Sequence, residues 1–114
     1  MDLGTEDRDG VLVITVKSDR IDAYSAIQFK DSMREATMTD QPRVVIDLAS
    51  VTFLDSSGLG AVVAAMKALG ATRKLELAGL TPPVAKVFRL TRMDSVFVVH
   101  KKLADVFDRD ASAA

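Results

Sequence analysis

The sequence predicts an α/β fold: one small domain with a mixed, mostly parallel sheet of about four to five strands and helices packed mainly on one face. Two observations lead to this fold class. Short β-branched segments alternate along the chain with amphipathic segments, which is the order expected of strand–helix–strand crossovers. The dipeptide Asp9-Gly10 separates the first two strand-like segments and favours an antiparallel hairpin at one edge of the sheet.

The length of the chain fits a single domain. Its 114 residues contain no internal repeat, low-complexity segment or linker, and single domains cluster near about 100–150 residues. We therefore expect one domain over residues 1–114, ordered from about residue 3 to residue 107 and frayed at residues 108–114.

The strands are predicted from apolar and β-branched runs. Residues 11–16 are apolar at both alternating positions, which indicates a strand buried on both faces. Residues 3–7 before them form at best a weak edge strand. Further strands are predicted at residues 44–48, 74–78 and 96–99.

The helices are predicted from apolar residues three and four positions apart. Ser25 and Gln28 have capping-box spacing and open a first helix, whose inward residues are Ala26, Phe29, Met33 and Ala36. A second helix ends at Gly70 and directs inward Leu59, Val62, Val63, Met66 and Leu69.

A third helix starts with Thr81 as N-cap and Pro82 at the first helical position. Its inward residues are Val84, Val87, Phe88 and Leu90. A short closing helix is predicted from Leu103, Val106 and Phe107.

Composition excludes several classes of chemistry. The chain has no cysteine, which excludes disulfides, zinc–thiolate sites and thiol nucleophiles. Its one histidine, His100, argues against a histidine-based catalytic or metal centre, and we expect it at the surface of a strand end. With 15 basic and 16 acidic residues the net charge is −1, which argues against nucleic-acid binding. We expect no metal and no cofactor.

The sequence also bears on location. The longest stretch without a charged residue, residues 56–66, is about half of what a membrane span requires. The first residues are acidic and lack the basic-then-apolar layout of a secretory signal. We therefore expect a cytoplasmic protein that does not bind membranes directly.

The most informative segment is Asp55-Ser56-Ser57-Gly58-Leu59-Gly60, between a predicted strand and the second helix. An anion attached to Ser56 or Ser57 would meet the free N–H groups and the positive end of the dipole at the helix N-terminus. Ordinary capping is the competing explanation, because Asp and Ser are preferred N-caps of any helix.

Five of the six positions of the second helix that are predicted to face outward carry glycine or alanine; the six are Gly60, Ala61, Ala64, Ala65, Lys67 and Ala68. Such a surface lets another protein approach the backbone closely and loses little side-chain entropy on docking. The alternative is that alanine is simply the best helix former.

Residues 53–60, Phe-Leu-Asp-Ser-Ser-Gly-Leu-Gly, resemble the signature of the STAS domain, specifically of bacterial anti-sigma factor antagonists. The resemblance extends over roughly residues 10–107 through matching blocks at residues 21–26, 45–48 and 81–84 and at Phe88. Two positions depart from the family pattern: a glycine is usual near Asp19, and another is usual where Arg92 stands.

The resemblance implies a ligand and substrate rather than an enzyme. The unmodified antagonist would bind an anti-sigma factor that is a serine kinase of the histidine-kinase-like ATPase type, releasing a sigma factor. Phosphorylation of Ser56, with Ser57 as the competing acceptor, would end the interaction, and a metal-dependent serine phosphatase would reverse it. The partner-binding residues would be Asp22, Tyr24, Asp55, Ser56, Ser57, Gly58, Gly60, Ala61 and Ala64.

A new phosphate near Asp55 and Asp22 would oppose rebinding of the kinase by repulsion.

Three alternatives to the antagonist function remain. A serine hydrolase would need a Gly-x-Ser-x-Gly elbow, and the serine pair lacks the preceding glycine. A receiver domain would need paired acidic residues after the first strand, which are absent. A STAS module of a stressosome, another partner-switching complex or a lipid-transport assembly would have the same fold with a different partner.

Overall fold

The computed structural model describes residues 1–108. Apart from Asp108, the tail that we expect to be frayed, residues 108–114, lies outside the described residues. The main sheet has five strands in the order β1-β2-β4-β6-β7, which are β1 Leu3–Arg8, β2 Val11–Val16, β4 Arg43–Asp47, β6 Lys74–Ala78 and β7 Val98–His100. Only β1 and β2 pair antiparallel; the other neighbours in this sheet are parallel. The predicted mixed, mostly parallel sheet is confirmed.

The hairpin between β1 and β2 turns at the predicted dipeptide. Asp9 has φ 53° and Gly10 has φ 81°, the pair of positive φ angles that a two-residue hairpin turn requires. A second, two-stranded parallel sheet joins β3 Arg20–Ile21 to β5 Phe53–Leu54. This small sheet lies before α1 and α2 and brings their N-terminal loops together.

Three helices pack on one face of the main sheet and a short one on the other. The helices are α1 Ala26–Ala36, α2 Ser56–Leu69, α3 Pro82–Leu90 and α4 Leu103–Phe107. The larger core contains buried residues of α1, α2 and α3 together with Ile14, Ile46 and Leu77 of the sheet. On the opposite face, α4 covers Val13 and Val45. The prediction of helices mainly on one face is confirmed.

The buried face of α2 differs from the prediction. Ala61 and Ala65 were expected to face outward, but they are only 2% and 8% exposed. Leu59, Val63 and Met66, expected inside, are half-buried at the edge of the core. The buried side of α2 is therefore only partly the predicted one, since the small residues Ala61 and Ala65 face inward, where they allow close packing. The expectation that Ala61 lies on an open docking surface is therefore wrong.

Two other helical predictions are corrected. Leu90 is 70% exposed rather than inward, because it lies two residues, about 200° around the helix, from buried Phe88. Ser25 makes no capping hydrogen bond and no capping box with Gln28. Its hydroxyl instead contacts the carboxylate of Asp22 at 3.2 Å.

The last strand begins two residues later than predicted. Val96 has helical angles, φ −87° and ψ −36°, at the end of a 3₁₀ turn over Met93–Ser95. His100 does close the strand, but the expectation that it is a surface residue is wrong. Its ring is largely buried, and Nε2 lies 2.8 Å from Oε1 of Glu76 on β6.

Candidate functional site

Asp55 organises the junction between β5 and α2. As the N-cap, it accepts a hydrogen bond on Oδ1 from the Gly58 N–H at 2.8 Å. Its second oxygen, Oδ2, accepts from the Ala23 N–H at 3.1 Å, in the loop before α1. The capping explanation is therefore correct for Asp55. The same carboxylate also ties two segments together, so its role exceeds that of an ordinary cap.

Ser56 and Ser57 are the first two residues of α2, and both are exposed. Within residues 1–108 neither hydroxyl forms a hydrogen bond, whereas the Asp55 carboxylate forms two. The N–H groups of the first helical turn have no acceptor within the helix apart from those that the cap supplies. A phosphate on either serine would thus lie beside free donors at the positive end of α2.

The loop before α1 is held by Asp22. Its carboxylate receives hydrogen bonds from Arg20 Nε at 2.9 Å and from the Tyr24 N–H at 3.0 Å, and two more from Ser25. The hydrogen bond from Arg20, above all, holds the pKa of Asp22 below its usual value. Asp22 is therefore a charge-compensated anchor, and it does not supply the uncompensated repulsion that the sequence suggested.

Sequence reasoning missed Arg20 and Phe53. The guanidinium of Arg20 lies over the ring of Phe53, 4.4 Å from its centre, while Nε binds Asp22. The spacing of Arg20 and Asp22 held a usable signal for their ion pair, because residues two apart in an extended segment point to the same side. The pairing of Arg20 with Phe53 across β3 and β5 could not be read from local sequence.

Tyr24 projects from this loop almost entirely into solvent. Its side chain is 95% exposed, and nearby Ile27 is 69% exposed. Exposed tyrosines with a fixed backbone are favourable anchors in protein interfaces, since they bury a large area at low entropic cost. The backbone here is fixed by Asp22 and Asp55, which fits the predicted role of Tyr24 in partner binding.

The two glycines of α2 have different environments. A Cβ at Gly58 would overlap the carbonyl oxygen of Ile21, so Gly58 allows α2 to contact β3 and is buried rather than displayed. A Cβ at Gly60 would meet nothing within 4 Å. Gly60 is exposed and Ala64 half-buried on the same side. The fold therefore requires glycine at position 58 but not at position 60.

The two departures from the family pattern also differ. Asp19 does not have positive φ, whereas Arg92 does, at φ 60°. Because its φ is not positive, Asp19 stands where glycine is not required, and its carbonyl accepts from the N–H groups of Thr52 and Phe53. Arg92 adopts the left-handed conformation that glycine favours.

Within residues 1–108, no group of three or more histidine or acidic side chains is arranged to hold a metal ion. None of the helices described is long and apolar enough to cross a membrane.

Comparison with known proteins supports one family. A family model for the STAS domain matches residues 3–106. The anti-sigma-B factor antagonist of Listeria monocytogenes is 31% identical over 80 residues, which are 69% of this chain and 70% of that protein. The crystal structure of an anti-sigma factor antagonist from Mycobacterium paratuberculosis is 30% identical with a TM-score of 0.83, covering 93% of this chain and 90% of that one.

The Bacillus cell fate determinant SpoIIAA in its phosphorylated form shares the fold. Its TM-score is 0.65 at 20% identity, with 95% of this chain and 98% of that chain covered. The resemblance noted in residues 53–60 is thus confirmed across nearly the whole chain, from the first strand to α4. The chain belongs to the STAS domain family.

Proposed function

We propose that this chain is an anti-sigma factor antagonist that works in the cytoplasm. Unphosphorylated, it binds an anti-sigma factor serine kinase of the histidine-kinase-like ATPase type, and a sigma factor is released. Phosphorylation of Ser56 weakens this complex, and a metal-dependent serine phosphatase restores the binding form. The Listeria and Mycobacterium proteins, both named as antagonists, support this role.

One observation carries the proposal: the hydroxyl of Ser56 is exposed and unbonded at the first position of a long helix. The neighbouring Asp55 carboxylate fixes this position from two directions. A kinase would therefore meet a serine whose backbone is rigid and whose hydroxyl is free. In this proposal Ser56 receives the phosphate, so the chain acts as substrate and ligand of the kinase.

Ser56 is favoured over Ser57 by the surface that it faces. Ser56 lies at one end of a groove between α2 and the segment after α3, which also contains Leu59, Gly60 and Met93. Ser57 is one residue further, about 100° around the helix, and does not line that groove. Phosphorylation of Ser56 would therefore change an apolar surface that Ser57 does not line.

The switch requires no refolding. Phosphate adds about −1.5 to −2 charge to a chain whose net charge is −1. The cap of Asp55 is already satisfied by Gly58, and a phosphate on Ser56 does not need those atoms. Since Asp22 is compensated by Arg20, we expect the added phosphate, rather than Asp22, to repel the partner.

The test uses each histidine-kinase-like anti-sigma factor encoded alongside this chain, purified and incubated with it and ATP. We expect one of them to bind the unphosphorylated chain and to transfer one phosphate, which fragmentation mass spectrometry places on Ser56. Ser57→Ala, the matched control, is still phosphorylated, and Ser56→Ala is not.

Phosphate on Ser57 in the wild-type chain would overturn the assignment of Ser56. Binding to none of these kinases, together with recovery of the chain in a large multi-STAS particle or with a membrane transporter, would overturn the antagonist role. The STAS module of a larger assembly would then be the better description.

A further inference from the structure

We propose that the groove between α2 and the segment after α3 binds an acidic amphipathic helix of the partner protein. The inference rests on the proposed function, since it specifies the part of the kinase that docks. The docking helix would carry apolar residues on one side and carboxylates beside them.

The shape of the groove fits a helix. Its α2 side is formed by residues spaced three or four apart, namely Ser56, Leu59, Gly60, Val63, Ala64 and Lys67. From Ser56 to Lys67 this row is about 16 Å long, the length of a helix of about eleven residues. Thr91 and Met93 form the other wall. An amphipathic helix lying in such a groove would place its own three-and-four-spaced residues against this row.

The floor of the groove is apolar. Leu59, Val63 and Met93 are half-buried, and each packs on the main core while leaving part of its surface open. Gly60 lies midway along the row with open space around it. Glycine inside a helix costs about 1 kcal/mol relative to alanine, and the fold does not require it here. Its effect is to keep the middle of the groove free for a close backbone approach.

Among the residues that line the groove, Lys67 is charged, and Arg92 stands between the lining residues Thr91 and Met93. The helices α2 and α3 also carry Lys86 and Arg89 and no acidic residue. The acidic residues next to the lining in sequence are Asp55, before Ser56, and Asp94, after Met93. Phosphorylation of Ser56 would add a dianion at one end of the groove.

Arg89 near the end of α3 and Arg92 just after it also differ from most of the other arginines in forming no ion pair within residues 1–108. Arg8, Arg20, Arg34 and Arg43 each form an ion pair with an acidic side chain, and Arg73 donates to the carbonyls of Thr37 and Gln41. Within residues 1–108 the side chains of Arg89 and Arg92 have no such partner, and neither does Lys67. Unpaired cations beside an apolar groove favour a partner whose apolar anchors are flanked by Asp or Glu.

The test titrates two synthetic peptides into the isotope-labelled 114-residue chain and follows the backbone signals by NMR. Both peptides are fourteen-residue helices with Leu at three-and-four spacing. One carries Glu at the remaining positions and the other carries Lys. We expect the Glu peptide to shift the signals of Leu59, Gly60, Val63 and Lys67, and the Lys peptide to leave them unchanged.

Variants locate the charge effect. We expect Lys67→Glu to weaken binding of the Glu peptide at least about threefold, since an attraction becomes a repulsion. Ser56→Asp, at the other end of the row, weakens it in the same direction. Lys17→Glu is the matched control, because the same charge change occurs at an exposed position on the β1–β2 edge. It should leave the affinity unchanged apart from a small effect of net charge.

Equal binding of both peptides, no binding of the Glu peptide, or shifts centred on Tyr24 and Ile27 would overturn the inference. Equal effects of Lys67→Glu and Lys17→Glu would also do so. No kinase is present in this experiment. Phosphorylation of Ser56 can therefore succeed while the peptide fails, and the peptide can bind while every kinase fails, so the two proposals are tested separately.

Discussion

Asp55 and Ala23 are joined by a hydrogen bond of 3.1 Å between a side-chain oxygen and a backbone N–H, 32 residues apart in the chain. The same carboxylate caps α2 through Gly58. Together with the pairing of β3 and β5, this side chain holds the loop that presents Tyr24 against the helix that presents Ser56. The kinase-binding surface that we propose depends on this connection.

Replacing Asp55 should separate its two roles. Asp55→Ala removes the cap and the link to Ala23, and we expect it to lower the free energy of unfolding by about 1–2 kcal/mol. Asp55→Asn keeps one oxygen, which is sufficient to cap α2, but its amide group cannot also accept from Ala23. Its stability in urea denaturation should lie between those of Asp55→Ala and the wild type. Equal stability of Asp55→Asn and the wild type would show that the hydrogen bond from Ala23 contributes nothing.

The two glycines of α2 offer a matched pair of substitutions. Gly58→Ala should destabilise the fold by about 1–3 kcal/mol, because the new methyl group collides with the Ile21 carbonyl. Gly60→Ala should stabilise it by up to about 1 kcal/mol, since the methyl group enters open space within a helix. Thermal unfolding of both variants checks this. A loss of stability in Gly60→Ala would contradict the assignment of that glycine to the groove.

Tyr24→Ala tests the exposed anchor. We expect the affinity for the kinase to fall about tenfold to thirtyfold, with no change in thermal stability, because the side chain is 95% exposed. Met38→Ala provides the control: that side chain is 79% exposed beyond the end of α1. Isothermal titration calorimetry measures both. Equal losses in the two variants would mean that Tyr24 is no special contact.

Two substitutions of Ser56 distinguish the effect of an added charge from the effect of losing the hydroxyl group. We expect Ser56→Ala to keep its affinity for the kinase while losing phosphorylation, since the hydroxyl makes no hydrogen bond in the described structure. Ser56→Asp should bind at least about tenfold more weakly, because a charge at this position opposes docking. Binding is measured by the same calorimetry, and unchanged affinity of Ser56→Asp would contradict the repulsion account.

Acid sensitivity should come from Glu76, which is buried on the face away from Ser56. Arg43 binds both its oxygens, at 2.7 and 2.8 Å, and this interaction above all holds the pKa of Glu76 below its usual value. A carboxylate with a lowered folded-state pKa stabilises the fold above its unfolded-state pKa, near about 4.3. That stability is lost as the pH falls through the lower, folded-state value.

Urea denaturation between about pH 7 and pH 3 measures this dependence. Glu76→Gln should lower the free energy of unfolding at pH 7 by about 1–3 kcal/mol, and its stability should decline less on acidification. Glu35→Gln, at an exposed position of α1, is the control and should follow the wild type. An unchanged decline in Glu76→Gln would assign acid sensitivity to other carboxylates.

Much of the fold and part of the site could be predicted from sequence. The order of the five main-sheet strands and the helices along the chain, the hairpin at Asp9-Gly10 and the end of α2 at Gly70 follow from local patterns, because turns, caps and periodic burial involve residues a few positions apart. The short strands β3 and β5 were not predicted. The motif at residues 53–60 likewise placed Ser56 at a helix N-terminus.

Other features depended on tertiary packing. The sequence could not show that Ala61 is buried, that Arg20 lies over the ring of Phe53, or that His100 meets Glu76. Helical periodicity defines a stripe on α2 only to within about one residue, and the neighbouring elements decide which side of it is buried. The sequence by itself therefore determined the alternation of elements and the position of the serine. Only the tertiary structure decided what surrounds that serine, because contacts between distant residues depend on how the elements pack.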